Sequence, residues 1–290
     1  MNNGVAVIRD LLFQFNGIDT NGFEEAFFMK CVQNRMSKTS SNSLNGYCNL
    51  LKSNKEETHS LVNSLNNTFS EFFRNTLTFA YLEQIVLPSL IEKKRKEKQK
   101  EIRIWSAACA SGQEPYSIAI LIDELIRIHH LDLSCRIFAT DINQSELEIA
   151  KKGIYQVSSL GKVNINRLNT YFTRVNQMEY YGHFEAYAIS SDLKQYIDFS
   201  VFDLASEEGA CPQASIYGNF DMIICSNVLF YYKPEYRYRM LAKIGNCLNS
   251  NAWLITGEAE REIVKENNYT EEFFSSGIFR NFKPYENKSH

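Results

Sequence analysis

Residues 102–117, IRIWSAACASGQEPYS, constrain this chain more than any other stretch. A short apolar run from Ile102 to Trp105 stops at the small residues Ser106, Ala107, Ala108, Ala110, Ser111 and Gly112. A helical pattern follows through Ile118, Ile120, Leu121 and Leu125. Strand, small-residue turn and helix start together have the form of a nucleotide-type cofactor site. Small side chains let a ligand approach the backbone, and the helix N-terminus faces it with unpaired N–H groups. Gly112 stands alone where the dinucleotide fingerprint needs three glycines, and no Lys-Ser/Thr follows, which excludes a Walker loop. Taken alone, the turn reads equally well as an ordinary strand–helix connection.

From residue 101 onward, strands and helices alternate. Strands are expected at 102–107, 136–140, 197–202, 220–225 and 252–256, and helices at 113–129, 145–151 and 235–248. Such alternation implies a mostly parallel sheet with helices on both faces, which binds ligands at the carboxyl ends of its strands. Three of those ends are polar: Asp141, Asp203, and Ser226 with Asn227. Residues 153–196 interrupt the pattern. This stretch of roughly 44 residues holds six of the 16 tyrosines and is too long for a structureless loop, so a small β subdomain is expected. A helix is expected around 164–171 and β-prone chain over 180–187, around Gly182.

The first ~75 residues read as all-helical from their apolar spacing. One helix covers 5–15 and stops at Asn16-Gly17; a second starts after Thr20. Two short ones cover 44–51 and 56–65, the latter with Ser53 and Glu56 in capping-box spacing. A long helix is expected over 77–98. Its basic end, residues 93–98, reads as a solvated terminus beside the negative pole of the helix dipole, with a docking patch for an acidic partner as the alternative.

The net charge of −3 gives no reason to expect nucleic acid or an anionic membrane as partner. No apolar run approaches the roughly 18–20 residues that span a bilayer, and the N-terminus lacks a signal-peptide pattern. Seven cysteines, odd in number and without metal-ligand spacing, are expected as free thiols in a reducing cytoplasm. The histidines form no metal-type pair, and His129-His130 falls at a helix end.

Two carboxylates carry the chemistry. Asp141 ends the second strand, where an acid can accept hydrogen bonds from ribose hydroxyls, or where Asp141 or Asn143 can cap the next helix. Glu114 lies in the first turn after the small-residue loop, where the dipole alone favours a carboxylate and where it can also hold an amine or sulfonium. The turn has no Arg or Lys. A nucleoside with a positive centre suits it better than a pyrophosphate.

These residues resemble a known family. IWSAACASGQEPYSIAILIDE, FATDINQSELEIAKKGIY and FDMIICSNVLFYYKPE are similar to the successive motifs of the CheR-type chemotaxis receptor methyltransferases. LLFQFNGID and FSEFFRN fit the family's N-terminal part, so the likeness covers nearly the whole chain. The resemblance implies an α/β, Rossmann-like S-adenosylmethionine methyltransferase sheet with an N-terminal all-helical domain and a small inserted β subdomain. The domains would be 1–75 and 76–290, with the insertion at about 153–196. It implies methyl-ester formation on glutamates of a chemoreceptor's cytoplasmic domain, with S-adenosylhomocysteine as product. The enzyme would be a cytoplasmic monomer with no nucleic-acid partner and no membrane insertion. In some family members the β subdomain binds a receptor tail peptide.

By the same resemblance, Arg74 matches an active-site arginine and Tyr231 an aromatic near the methyl. Cofactor contacts are implied for Ser70, Arg74, Ala108, Glu114, Asp141, Leu204 and Asn227. They are also implied for Thr68, Asp203 and Ser226, which stand where the family usually has Asn, Asn and Arg. Residues 23–36 carry fewer arginines than the family's receptor-facing helix. These departures leave a second reading: a non-catalytic or altered-substrate S-adenosylmethionine-binding regulatory module.

Overall fold

The computed structural model describes residues 2–65, 69–175, 185–215, 218–267 and 269–281. The chain divides into two compact units, Met1–Asn67 with Phe230–Arg237, and Thr68–Leu229 with Tyr238–His290. The sequence expectation put one break at residue 75; the division falls a few residues earlier and lends the first unit a segment from late in the chain.

The first unit holds α1 (Asn2–Asn16), α2 (Glu25–Lys38), α3 (Leu44–Ser53) and α4 (Lys55–Leu65). Their apolar stripes meet in one core of Ile8, Leu12, Phe28, Val32, Leu51 and Leu61. Helix α2 starts later than the apolar pattern suggests, because the chain before it is spent on pairing. Phe23 bridges Tyr232 in antiparallel fashion, the Glu24 N–H donates to the Tyr231 carbonyl (2.8 Å), and the Lys233 N–H donates to that of Gly22 (2.8 Å). The cap of α4 also differs from expectation. Asn54, not Ser53, accepts from the N–H groups of Glu56 (3.0 Å) and Glu57 (3.2 Å). Ser53 Oγ donates back into α3, to Asn49 and Leu50.

Among the described residues one charged group is buried in this helical core. The Glu57 carboxylate takes two bonds from Arg35 (2.9 and 2.5 Å) and one from the Tyr47 hydroxyl (2.7 Å). Burial pushes its pKa up, but the Arg35 and Tyr47 bonds outweigh that and leave it below the ordinary value.

The second unit is built on a seven-stranded sheet: β1 (Glu101–Ala107), β2 (Ser134–Asp141), β6 (Ile197–Val201), β7 (Phe220–Cys225), β8 (Leu248–Thr256), β9 (Thr270–Glu271) and β10 (Ile278–Arg280). The order is β6-β2-β1-β7-β8-β10-β9. The first five strands are parallel and the last two antiparallel. The parallel strands fall where apolar alternation places them. The β9–β10 edge was not foreseen, since two- and three-residue strands carry too little pattern. Gly277 makes it possible: at φ 67° its absent Cβ would lie 2.6 Å from the Thr256 carbonyl oxygen. Helix α7 (Gln113–His129) follows β1, and α8 (Gln144–Lys152) follows β2.

The expected β subdomain is a separate three-stranded sheet of β3 (Ile154–Gln156), β5 (Ala186–Ile189) and β4 (Phe172–Val175), with β5 central. Helix α9 (Ile165–Tyr171) precedes β4 and is capped by Asn164. Residues 180–184 of the expected aromatic stretch lie outside the described residues.

The long helix before β1 is continuous but not uniform: α5 (Thr76–Tyr81), a π turn (Leu82–Val86) and α6 (Leu87–Lys96). Pro88 explains the widening, because it has no N–H to donate and its ring would press on the carbonyl four residues back. The basic end is not wholly solvated. Lys94 is buried and pairs with buried Asp221 (2.8 Å) and with Gln99 (2.7 Å), while Arg95 and Lys96 pair with Glu92. The expectation of free thiols is corrected at two positions: Cys211 and Cys247 form a disulfide, and the other five are buried and free. No helix among the described residues is long and apolar enough to cross a membrane.

Replacing Arg35 by Ala strands the Glu57 carboxylate in the helical core and should cost about 3 kcal/mol at pH 7. Glu57 contributes stability above its unfolded pKa and loses it as pH falls through its lowered folded pKa. The gap between wild type and Arg35→Ala in denaturant melts should therefore shrink below pH 4.5; a gap that stays constant down to pH 3 contradicts the ion pair.

Candidate active site

At the carboxyl ends of the parallel strands, the turn after β1 is held in a conformation most residues avoid. Ala108 (φ 63°), Ala110 (φ 47°) and Gly112 (φ 92°) are all left-handed. For the two alanines this costs of order 1 kcal/mol each, so the surroundings must enforce it. The Cys109 N–H donates to the Thr140 carbonyl (2.9 Å), the Ala110 N–H to the Asp141 carboxylate (2.8 Å), and the Tyr155 hydroxyl to the Ser111 carbonyl (2.8 Å). Gly112 is also required by space, since a Cβ there would sit 2.7 Å from that of Ala150. Small residues serve here because the backbone must bend and pack at once.

Asp141 is buried, and its second oxygen accepts from the Asn143 N–H (2.9 Å). Burial raises its pKa against the pull of the Asn143, Ala110 and Ile142 N–H groups. Asn143 is the cap of α8, accepting from Ser145 (3.0 Å). Of the two cap candidates, Asn143 has that task and Asp141 ties β2 to the turn.

Glu114 stands in the first turn of α7 and keeps some solvent contact. It accepts from the Ser106 hydroxyl (2.7 Å) and from that of Ser226. Burial pushes its pKa up to about 7; the Ser106 and Ser226 bonds and the Arg74 charge pull it down, and the Glu260 charge pushes it up. The polar end of β7 thus reaches the turn after β1. Asn227 follows at φ 63°, with its side-chain nitrogen 2.6 Å from where a Cβ on Gly257 would lie. Asp203 turns to the Ala205 N–H (2.8 Å), and Leu204 is buried.

Arg74 is presented by two buried rings. Phe72 packs edge-on against Tyr155 (5.0 Å) and Phe172 (5.3 Å). Phe73, at φ 53°, packs against Phe79 (5.3 Å), and its N–H donates to the Ser117 hydroxyl (3.1 Å). Lys162 donates to the Arg74 carbonyl (2.5 Å) and pairs with Glu71 (2.9 Å). The Arg74 guanidinium lies over the Phe69 ring (4.9 Å) and donates to the Phe69 carbonyl (2.8 Å). Among the described residues it has no ion pair. Ser70 is half-buried, and Thr68 lies outside the described residues. Tyr231 belongs to the first unit, where its ring packs on Phe27 (4.5 Å).

Sequence reasoning passed over Glu260, which is fully buried and gathers the backbone behind Ser226. Its carboxylate accepts from the N–H groups of Asn227, Val228 and Leu229 (2.6 Å each) and Gly257 (3.0 Å), and from the Thr256 hydroxyl (2.9 Å). The available signal was the Gly257-x-x-Glu260 spacing at the end of a strand. Lys162 was also missed, since a lone lysine in a long insertion carries no pattern.

A parallel sheet with a cramped small-residue turn, carboxylates in place of phosphate-binding cations, and an antiparallel hairpin at its far edge defines a Rossmann-like methyltransferase domain. The chemistry of the donor set suits S-adenosylmethionine: Glu114 and Asp141 offer negative charge and hydrogen-bond acceptors to a cationic nucleoside. Residues 68–278 match the family model "CheR methyltransferase, SAM binding domain". The chemotaxis protein methyltransferase 1 of Pseudomonas aeruginosa is 32% identical over 69% of this chain and 68% of its own length. That of Borreliella burgdorferi is 30% identical over 69% and 66%, just under two thirds of its length, and that of Escherichia coli 28% over 91% and 86%. The chain belongs to the CheR family of chemotaxis methyltransferases, whose cofactor is S-adenosylmethionine.

A carboxyl group raised from 4.5 to about 7 on folding contributes stability that is whole below pH 4.5 and lost as pH rises through 7. Glu114→Gln removes that loss. The variant should melt about 3–6 °C above wild type at pH 8 without cofactor, and the difference should narrow toward pH 5 in thermal scans.

Proposed function

We propose that the chain transfers the methyl group of S-adenosylmethionine to glutamate side chains on the cytoplasmic domain of a chemoreceptor, leaving a methyl ester and S-adenosylhomocysteine. The observation that carries this reading is Arg74, a guanidinium braced by two buried phenylalanines, without an acidic partner among the described residues, whose charge is felt by Glu114. An anchored cation waiting beside a cofactor turn is suited to receiving a carboxylate. Relatives that carry the name chemotaxis protein methyltransferase support the substrate class.

A glutamate carboxylate is ionised at neutral pH, so the reaction needs no general base. When bound, S-adenosylmethionine supplies an electrophilic methyl on a sulfonium. The chain's work is then positioning and exclusion of water, because attack by an anion on a cation is held back by hydration of both. Arg74 exchanges one neutral bond to the Phe69 carbonyl for a bidentate pair with the incoming carboxylate. The pair has to stay moderate, since tight ground-state binding would not speed transfer. Glu114 faces the cofactor's positive centre and Asp141 its ribose, while Ala108 and Gly112 allow close approach to the backbone. Ser70, Leu204, Asp203, Ser226 and Asn227 complete the wall, and the cytoplasm is the compartment where such a receptor domain is met.

Arg74→Ala should lower transfer of labelled methyl to a receptor cytoplasmic fragment about 100-fold, while the S-adenosylmethionine Kd from calorimetry changes less than about threefold. Equal losses in both overturn the substrate-orienting role. The incorporated label should be released by base, as an ester requires. Cofactor binding without transfer to any receptor fragment would make the chain a regulatory module instead. Affinity for S-adenosylmethionine should rise with pH through about 7 as Glu114 ionises; an affinity flat from pH 5.5 to 8.5 removes Glu114 from the cation's site.

A further inference from the structure

We infer that Glu260 is the positioning residue of the cofactor site: by gathering the N–H groups of Asn227, Val228 and Leu229 onto one buried carboxylate, it sets where Ser226 meets Glu114. The inference rests on the reading of this site as the S-adenosylmethionine pocket.

Five groups converge on Glu260, and all five point hydrogens at it: four backbone N–H groups and the Thr256 hydroxyl. The hydroxyl belongs to the donors because a carboxylate can only accept. A protonated acid would have to turn away one of these donors, so the cluster is built for the anion. The three consecutive N–H groups 227–229 cannot be reached by a strand neighbour, since β7 ends at Cys225. Without Glu260 all three would lose their carboxylate acceptor in a largely buried place, at a cost that pulls the loop toward water. Asn227 is left-handed in this arrangement, and Gly257 leaves room for its amide against the Glu260 carboxylate. Holding Asn227 fixes Ser226, one residue earlier, whose hydroxyl bonds to Glu114.

The same carboxylate acts on Glu114 through space. The charges acting on Glu114 are those of Glu260 and Arg74, opposite in sign, with the hydroxyls of Ser106 and Ser226 bonded to it. Asp141 stands on the neighbouring strand, and the buried thiols Cys109 and Cys225 near these acids are held neutral by burial. Glu260 is therefore the one negative charge among the groups acting on Glu114 that can be removed without touching the turn itself. A purely structural buttress would affect stability but leave the titration of Glu114 in place.

The test follows Glu114 by carboxyl carbon NMR and the amides of residues 227–229 in the cofactor-free protein, with S-adenosylmethionine affinity measured at pH 8. In Glu260→Gln the Glu114 midpoint should rise, because the lost Ser226 bond outweighs the lost Glu260 charge; the three amides should shift, and affinity should drop about tenfold. Glu260→Asp keeps the charge but is one methylene shorter, so the Glu114 midpoint should also rise and affinity should stay reduced. Thr256→Val removes one donor and keeps the charge; it should move the amides and lower affinity about threefold, and it serves if the Gln variant does not fold. An unmoved or lowered Glu114 midpoint in Glu260→Gln, or unchanged affinity in both Glu260→Gln and Thr256→Val, overturns the inference. If wild type fails to bind S-adenosylmethionine at any pH, the functional reading fails, while the Glu114 midpoint and the amide shifts still decide whether Glu260 sets the loop.

Discussion

The whole site depends on buried carboxylates that are satisfied by backbone N–H groups instead of by cations. Asp141 takes the Ala110 N–H and so bends the turn after β1. Glu260 takes three N–H groups in a row and so shapes the loop after β7. Each acid spends its hydrogen-bonding capacity on peptide dipoles, which are neutral. The negative charge of the site is thereby gathered at the carboxyl ends of the parallel strands without being cancelled. A cationic ligand gains from that field, and an anionic one is repelled.

The backbone was legible where pattern is long and repeated. β7 was expected at 220–225 and runs Phe220–Cys225, and the helix after the small-residue turn runs Gln113–His129 as its apolar spacing indicates. The short edge strands β9 and β10 escaped, because a two-residue strand has no alternation to read. Lys94 and the cysteine pair escaped for another reason. Whether a lysine in a basic run is solvated, or whether two distant thiols meet, depends on what a different element brings alongside: Asp221 from β7 in one case, and the end of the helix Pro234–Cys247 in the other.

For the site, residue types at the turn pointed to the right chemistry, but their division of labour was hidden. In sequence either Asp141 or Asn143 could cap the next helix, and only the contacts decide: Asn143 accepts from the Ser145 N–H and Asp141 from that of Ala110. Arg74 was visible as a charge after two phenylalanines. That both rings before it are buried and pinned by other rings, and that Phe73 is left-handed, comes from their contacts. Glu260 was hidden because its partners are peptide groups, which every residue has.

The second segment of the first unit has a bearing on how the chain is made. Residues 230–237 supply Tyr231 and Tyr232 to the helical core and pair with the chain ahead of α2. During synthesis, α1 to α4 leave the ribosome long before that segment exists. The nascent helical unit must therefore persist with a face uncovered while most of the sheet is still being translated. Its assembly has the high contact order of a non-local pairing, although nearly all of its structure is local helix. A fragment ending before residue 230 would correspondingly carry the four helices but lack the strip that closes them.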